Sequence, residues 1–223
     1  MSPAASDGLA FDFARLDTTA RYKLMSGVIV PRPIALVTTM SEEGVVNAAP
    51  YSFFNVFSDD PPLIALGLQH KPDCTRKDTT RNIERTGEFV VNMVDEALAR
   101  AMCDCAAEFP ADIGEPEALG LALSPSTTTR APRFAAAPFA LECRKTVSLV
   151  FGPNREILLG EVVALHARAG LLDPQTLRVD FAAYRPVGRL FGDFYTRQTD
   201  IFAMARRTPG EIMAARGART DPA

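Results

Sequence analysis

The chain has 223 residues, 47% of them hydrophobic, with 24 Lys and Arg against 27 Asp and Glu. A net charge of −3 is too balanced to suggest a nucleic-acid binder or a protein drawn to an acidic membrane surface. The apolar content can bury a sizeable core, no apolar run nears the length of a transmembrane helix, and no linker divides the chain, so one domain is expected.

Met1 to Gly8 lacks a basic region followed by an apolar core, so no secretory signal is expected, and Met1 to Ala10 reads as a frayed tail. Phe11, Phe13 and Leu16 can dock on the body, and Thr18-Thr19 can cap a short helix through Met25. Pro31-Arg32-Pro33 holds the chain extended. Ile34 to Thr39 is a β-rich run, Ser41-Glu42-Glu43-Gly44 a turn, and Val45-Val46 the return of a hairpin. Then the character changes to Asn47-Ala48-Ala49-Pro50-Tyr51-Ser52, small, polar and proline-broken, ahead of the bulky Phe53-Phe54. Pro50 has no N–H, which predicts that strand pairing breaks there. Composition alone favours a strand leaving its sheet by an ordinary bend; the other reading is a surface that a flat ligand can approach closely.

Phe53 to Phe57 and Leu63 to Leu68 read as strands around the turn Asp59-Asp60-Pro61-Pro62. Asp73 to Gly87 reads as a helix, with Thr75 and Asp78 as a capping box and Gly87 as the stop. Its first turn carries Arg76 and Lys77, which are misplaced at a helix N-terminus unless an anion sits there; the other reading is that Asp78 offsets them and they point into water.

Glu88 to Asn92 reads as a strand and Asp95 to Ala107 as a helix capped by Asp95. Phe109 to Arg133 is a long excursion with a short helix near Glu115 to Leu119, a loop that covers a site, meets a partner or simply lies on the surface. Phe139 to Phe151 alternates as a half-buried antiparallel strand, with Phe139, Leu141, Cys143, Val147, Leu149 and Phe151 on one face. Gly152-Pro153-Asn154 turns it back through Glu156 to Arg168, with Gly160 marking a bulge. Leu177 to Asp180 and Tyr184 to Phe191 are short strands, and the tail from Arg206 on is mobile. Many short strands with few helices predict a barrel or sandwich.

Several signatures are absent: no Gly-x-Gly-x-x-Gly after a strand, no Walker loop, no His-Glu-x-x-His and no Gly-x-Ser-x-Gly. Cys103 and Cys105 lie two apart on a predicted helix, where side chains diverge, and the chain has two histidines, so no metal site is expected. The four cysteines form no disulfide framework and fit a reducing cytoplasm. His166, at a strand exit with Arg168 on its face, and His70, in the loop before the capped helix, are weaker candidates for touching a cofactor.

Arg32-Pro-Ile-Ala-Leu-Val-Thr38-Thr39, Gly44-Val-Val-Asn47-Ala-Ala-Pro50-Tyr51-Ser52-Phe-Phe-Asn55 and Asp60-Pro-Pro-Leu63 resemble the flavin reductase-like, FMN-binding split-barrel family, in its Asn-x-Ala-Pro-Tyr-Ser branch. The similarity continues through Lys77-Asp78-Thr79, Asn82 and Phe89-Val-Val-Asn92 to Arg185-Pro-Val-Gly188-Arg189-Leu190 and Tyr195. The resemblance implies a mainly β fold with peripheral helices, an antiparallel, Greek-key split β-barrel over residues 21–205 between an extension, 1–20, and a tail, 206–223.

It further implies a homodimer that binds FMN and takes hydride from NADH or NADPH, with reduced flavin supplied to a partner monooxygenase; the cytoplasmic setting is the one that the cysteines suggest. Neither nucleic acid nor membrane is an expected partner, and no acid–base residue is singled out. The resemblance points to Arg32, Thr38, Thr39, Asn47, Ala48, Ala49, Ser52, Phe53 and Phe54 along the ring. Lys77, Asp78, Thr79 and Asn82 belong to the phosphate end, and Arg189 and Tyr195 to a segment that reaches the cofactor of the dimer mate. One departure stands out. The hairpin reads Gly152-Pro153-Asn154-Arg155 where the better-known short flavin reductases carry Gly-Asp-His. That leaves two further readings, an FMN-binding electron carrier with little nicotinamide turnover and a dimeric scaffold with an empty site.

Overall fold

The structure, a computed structural model, describes residues 8–217; the frayed tail expected over Met1 to Ala10 and the tail from Arg206 lie partly outside these. A 3-10 turn, Phe13–Arg15, precedes helix α1, Thr18–Val28, which is capped by Asp17 rather than by the threonines: its carboxylate accepts the Ala20 N–H at 2.7 Å. Strands β1 (Ala35–Met40), β2 (Val46–Tyr51), β3 (Phe54–Asp59) and β4 (Pro62–Gln69) follow, then helix α2 (Asp78–Thr86) and β5 (Glu88–Met93). The excursion carries α3 (Ala99–Asp104), α4 (Glu115–Ala118) and the ribbon β6 (Leu123–Ser124) and β7 (Arg133–Phe134). The long hairpin β8 (Phe139–Phe151) and β9 (Arg155–Ala167) is followed by α5 (Phe181–Tyr184), the ribbon β10 (Val187–Arg189) and β11 (Tyr195–Arg197), and α6 (Pro209–Gly217).

One seven-stranded antiparallel sheet has the order β2-β1-β5-β8-β9-β4-β3. β5, β8 and β9 lie side by side in chain order while the earlier β4 pairs with β9, a Greek-key arrangement. The two edge strands, β2 and β3, are consecutive in the chain, joined through Ser52-Phe53. A sheet whose opposite edges are held that close must curl nearly shut. Pairing does not break at Pro50, which sits opposite Leu36; β2 is an edge strand, so the missing N–H leaves no ladder bond unmade.

β1 is buried on both faces, which is why Ile34 to Val37 reads as a continuous apolar run. Val37 packs inside the barrel with Leu66, Phe89, Val91 and Leu158, and Leu36 packs outside with Leu98, Met102 and Phe134. No helix among the described residues is long and apolar enough to cross a membrane.

Four further expectations about elements need correction. Thr75 does not open a capping box: its N–H and hydroxyl both bond Asp73, at 2.9 and 2.6 Å, and α2 begins three residues later. Asp95 caps through the Leu98 N–H, but only Ala99–Asp104 is helical after it. Leu177 to Asp180 forms no strand beyond a single bridge, Leu172 to Val179, because Asp180 instead caps α5. On β8 the alternation fails halfway. The β8–β9 register shifts between Lys145 and Val147, next to Gly160 on β9, and an extra residue on one strand moves every later side chain to the other face. Val147, Leu149 and Phe151 are therefore exposed, while Glu142, ahead of this shift and on the face opposite Leu141 and Cys143, is fully buried.

Candidate functional site

A cavity of about 490 Å³ opens where β2, the loop after β4, the start of α2 and the excursion meet. β2 contributes Asn47, Ala49, Pro50 and Tyr51; the loop contributes Lys71 and Pro72; α2 contributes Lys77, Asp78 and Thr79. Cys105 to Pro110 and Glu115 close the far wall. Alternation along β2 explains the choice: Asn47, Ala49 and Tyr51 share one face, while Ala48 is buried on the other. Ala49 adds only a methyl to its part of the wall.

The ends of the cavity are tied together. The Asn47 amide donates to the Thr79 hydroxyl at 2.9 Å, joining the edge strand to the helix start. Burial pushes the Tyr51 phenol up to about 12, with a Thr79 hydrogen bond acting against it. At the start of α2, Lys77 occupies the cap position and offers no side-chain cap. Three of the cavity's components are thus those of an anion site: first-turn N–H groups without a side-chain cap, the hydroxyl of Thr79, and the cations of Lys71 and Lys77. Arg76 is turned elsewhere, paired with Glu84 at 2.8 Å.

Glu115 went unnoticed in the sequence. It is 9% exposed, lines the cavity, and its Oε2 accepts the Ala48 N–H at 2.7 Å. A β2 edge would otherwise leave that N–H unpaired, so α4 takes the place of a further strand. Burial raises the Glu115 carboxyl, partly offset by the Ala48 N–H, and burial pushes the nearby Cys105 thiol up to about 12, with Glu115 adding to it. Gly114 is packed so that a β-carbon there would overlap the Val46 carbonyl oxygen.

Of the residues the resemblance pointed to, Asn47, Ala49, Lys77, Asp78 and Thr79 line this cavity. Thr38, Thr39, Ala48 and Asn82 are buried behind it. Asn82 donates to the Thr39 hydroxyl at 3.0 Å, and the Thr38 hydroxyl donates to the Pro132 carbonyl at 2.5 Å. Arg32, Ser52, Phe53 and Phe54 line a second, apolar groove of about 530 Å³ beside α1. There the buried Arg32 guanidinium donates to the carbonyls of Ser26, Ile29 and Leu190 and to the Ser52 hydroxyl, and lies 5.9 Å from the Phe53 ring centre. Arg189 and Tyr195 stack on the β10–β11 ribbon, where Arg189 donates to the Tyr195 hydroxyl and Cys103 lies 3.2 Å from it.

Neither histidine reaches the cavity. His70 is held by Glu156 and the Pro153 carbonyl, both at 3.3 Å. His166 bonds Glu142 at 2.5 Å. Glu142 also accepts the N–H groups of Thr127, Thr128 and Thr129, which fastens the excursion to the sheet.

With this geometry in place, the comparisons with known proteins are specific. The model of the family described as flavin reductase like domain matches residues 25–188. An uncharacterized protein of Deinococcus radiodurans is 43% identical over 89% of each chain. Among solved structures, the 2-nitrobenzoate 2-nitroreductase NbaA of Pseudomonas fluorescens is 41% identical, with a TM-score of 0.83 over 90% of this chain and 98% of its own. Component B of the nitrilotriacetate monooxygenase of Bacillus cereus is 33% identical, with a TM-score of 0.85 over 90% of this chain and all of its own.

Proposed function

The chain belongs to the flavin reductase-like domain family, and from that premise we propose that residues 21–205 form a domain that binds FMN and acts as an NAD(P)H:flavin oxidoreductase. The observation that carries the reading is the hydrogen bond from Asn47 to Thr79, which sets a small-residue strand face and an uncapped helix start in one cavity. FMN, when bound, supplies the hydride-accepting ring. Lys71, Lys77, the Thr79 hydroxyl and the first N–H groups of α2 hold its phosphate. The amide of Asn47 and the exposed edge of β2 offer hydrogen bonds to the polar edge of a flat ring, and Ala49 lets the ring approach. The wall from Cys105 to Pro110 limits water.

Exposed apolar side chains of one sheet, Phe57 on β3, Ile157 on β9 and Val147 and Leu149 on β8, support a homodimer. The kinship with a monooxygenase component B supports delivery of reduced flavin to a partner monooxygenase.

The test is direct. Purified protein is expected to be yellow and to bleach under argon on addition of NADH or NADPH. Colourless protein that takes up no FMN defeats the reading. Yellow protein that does not bleach favours a second reading, an FMN electron carrier. One observation supports that alternative: the β8–β9 turn, Gly152-Pro153-Asn154, packs against His70 instead of the cavity.

A further inference from the structure

We propose that Glu115 tunes the reduction potential of the ring held in this cavity, its fixed carboxylate opposing the negative charge that arrives with a hydride. This rests on the FMN reading above. Three observations lead to it.

First, Glu115 is a buried carboxylate that lines the cavity wall and pairs with no lysine, arginine or histidine among the described residues. The other carboxylates of that wall differ: Asp78 is paired with Arg81, and Glu108 is exposed. Lys71 and Lys77 line the same cavity, and Asp78, beside Lys77, is near enough for its charge to raise Glu115 further.

Second, its place is fixed. The Ala48 N–H holds one oxygen at 2.7 Å, and Gly114 sits against the Val46 carbonyl. Ala48 lies between Asn47 and Ala49, both on the cavity, so the carboxylate is tied to the strand that carries the ring. Third, burial raises the carboxyl, the Ala48 N–H offsets part of that rise, and the same burial leaves the field of the ionised group weakly screened. A hydride brings one negative charge with it, and a fixed like charge nearby disfavours that product. Reduction is therefore harder with Glu115 ionised than with a neutral side chain of the same shape.

Glu115→Gln keeps an oxygen for the Ala48 N–H and removes the charge. Glu115→Asp keeps the charge and shortens the reach. The potential of bound FMN is measured by dye equilibration under argon, with Glu117→Gln as a control on the exposed face of the same helix. Glu115→Gln is expected to retain FMN and to raise the preference for reduced over oxidised flavin about tenfold, roughly 30 mV for a two-electron couple. Glu115→Asp and Glu117→Gln are expected to stay near wild type. Retained flavin with an unchanged potential in Glu115→Gln overturns the inference and leaves the FMN reading standing. An equal rise in Glu115→Asp overturns it too, since the Ala48 clamp would then be the cause. A wild-type chain that takes up no FMN overturns both.

Discussion

Asn47 on the edge strand and Thr79 on the following helix meet at 2.9 Å, amide to hydroxyl, across a gap of 32 residues in the chain. The same Thr79 hydroxyl also serves the Tyr51 phenol, so it ties two residues of β2 to α2. Replacing Thr79 by Val removes the acceptor and a candidate phosphate ligand. Replacing Asn47 by Ala removes the donor and a candidate ring contact. Each is expected to weaken FMN binding about tenfold, the worth of one good hydrogen bond. The double variant is expected to lose less than the sum, because the pair is shared. Quenching of flavin fluorescence on titration measures all three. Lys77→Ala belongs with them; its loss is expected to shrink at high salt, as a charge contact to phosphate requires.

Glu142 is fully buried and accepts the N–H groups of Thr127, Thr128 and Thr129 at 2.7 to 2.9 Å, together with His166. Burial pushes the carboxyl up, but the Thr127 and Thr128 donors and His166 outweigh it and hold the group well below the usual carboxylate range. A folded value below the unfolded one, about 4.3, contributes stability that is complete above the unfolded value and lost as pH falls through the folded one. Glu142→Gln is expected to cost about 3 kcal/mol at neutral pH. It is also expected to flatten the acid side of the stability profile below about pH 4.3. Urea midpoints at a series of pH values check both, and an unchanged acid slope removes Glu142 from the account.

Gly160 faces the ring of Phe89. A β-carbon there would overlap Cζ and come within 2.9 Å of Cε1, and Phe89 is fully buried. The glycine also sits beside the register shift of β8, so the strand has little room to move. Gly160→Ala is expected to destabilise by about 2 kcal/mol through overpacking, lowering the Tm by about 6 °C for a domain of this size. Combining it with Phe89→Leu is expected to recover part of that loss. Equal additivity of the two would mean the contact is not the cause.

Local chemistry made much of this fold legible. Gly44, at φ 91°, and Gly152, at φ 64°, take left-handed conformations in the β1–β2 and β8–β9 turns that the sequence marks. The apolar run of β1 and the length of the β8–β9 hairpin follow from composition. The cavity was half legible. Asn47, Ala49, Lys77, Asp78 and Thr79 do converge, but Arg32, Ser52, Phe53 and Phe54 lie in another groove. Arg32 carries no local sign of its role, because the carbonyls that bind its guanidinium belong to a helix end and to Leu190, 158 residues away. Glu115 and the threonines around Glu142 were hidden for the same reason: the pattern of neighbouring residues does not betray a carboxylate's distant partner. The outward turn of Val147, Leu149 and Phe151 was hidden by a single extra residue in β8, which a reading by alternation passes over.

Gly114 offers the sharpest test of how the excursion serves the site. A β-carbon at this position would overlap a backbone carbonyl, Val46, and a backbone atom has no other rotamer to adopt. Gly114→Ala therefore forces α4 away from β2 and separates Glu115 from the Ala48 N–H, now 2.7 Å apart. That N–H lies on a sheet edge, so Glu115 is what shields it from exchange. The core cluster around Phe89 lies elsewhere, and the Glu142 tether holds the far end of the excursion independently. The expected outcome is local: faster hydrogen exchange over residues 46–51, FMN binding weakened about tenfold, and a global unfolding midpoint lowered by no more than about 1 kcal/mol. Exchange measured by mass spectrometry on peptides covering β2 reads the first effect. Unchanged exchange in β2 would mean that the strand edge holds its shape without α4, and the clamp would have to be abandoned.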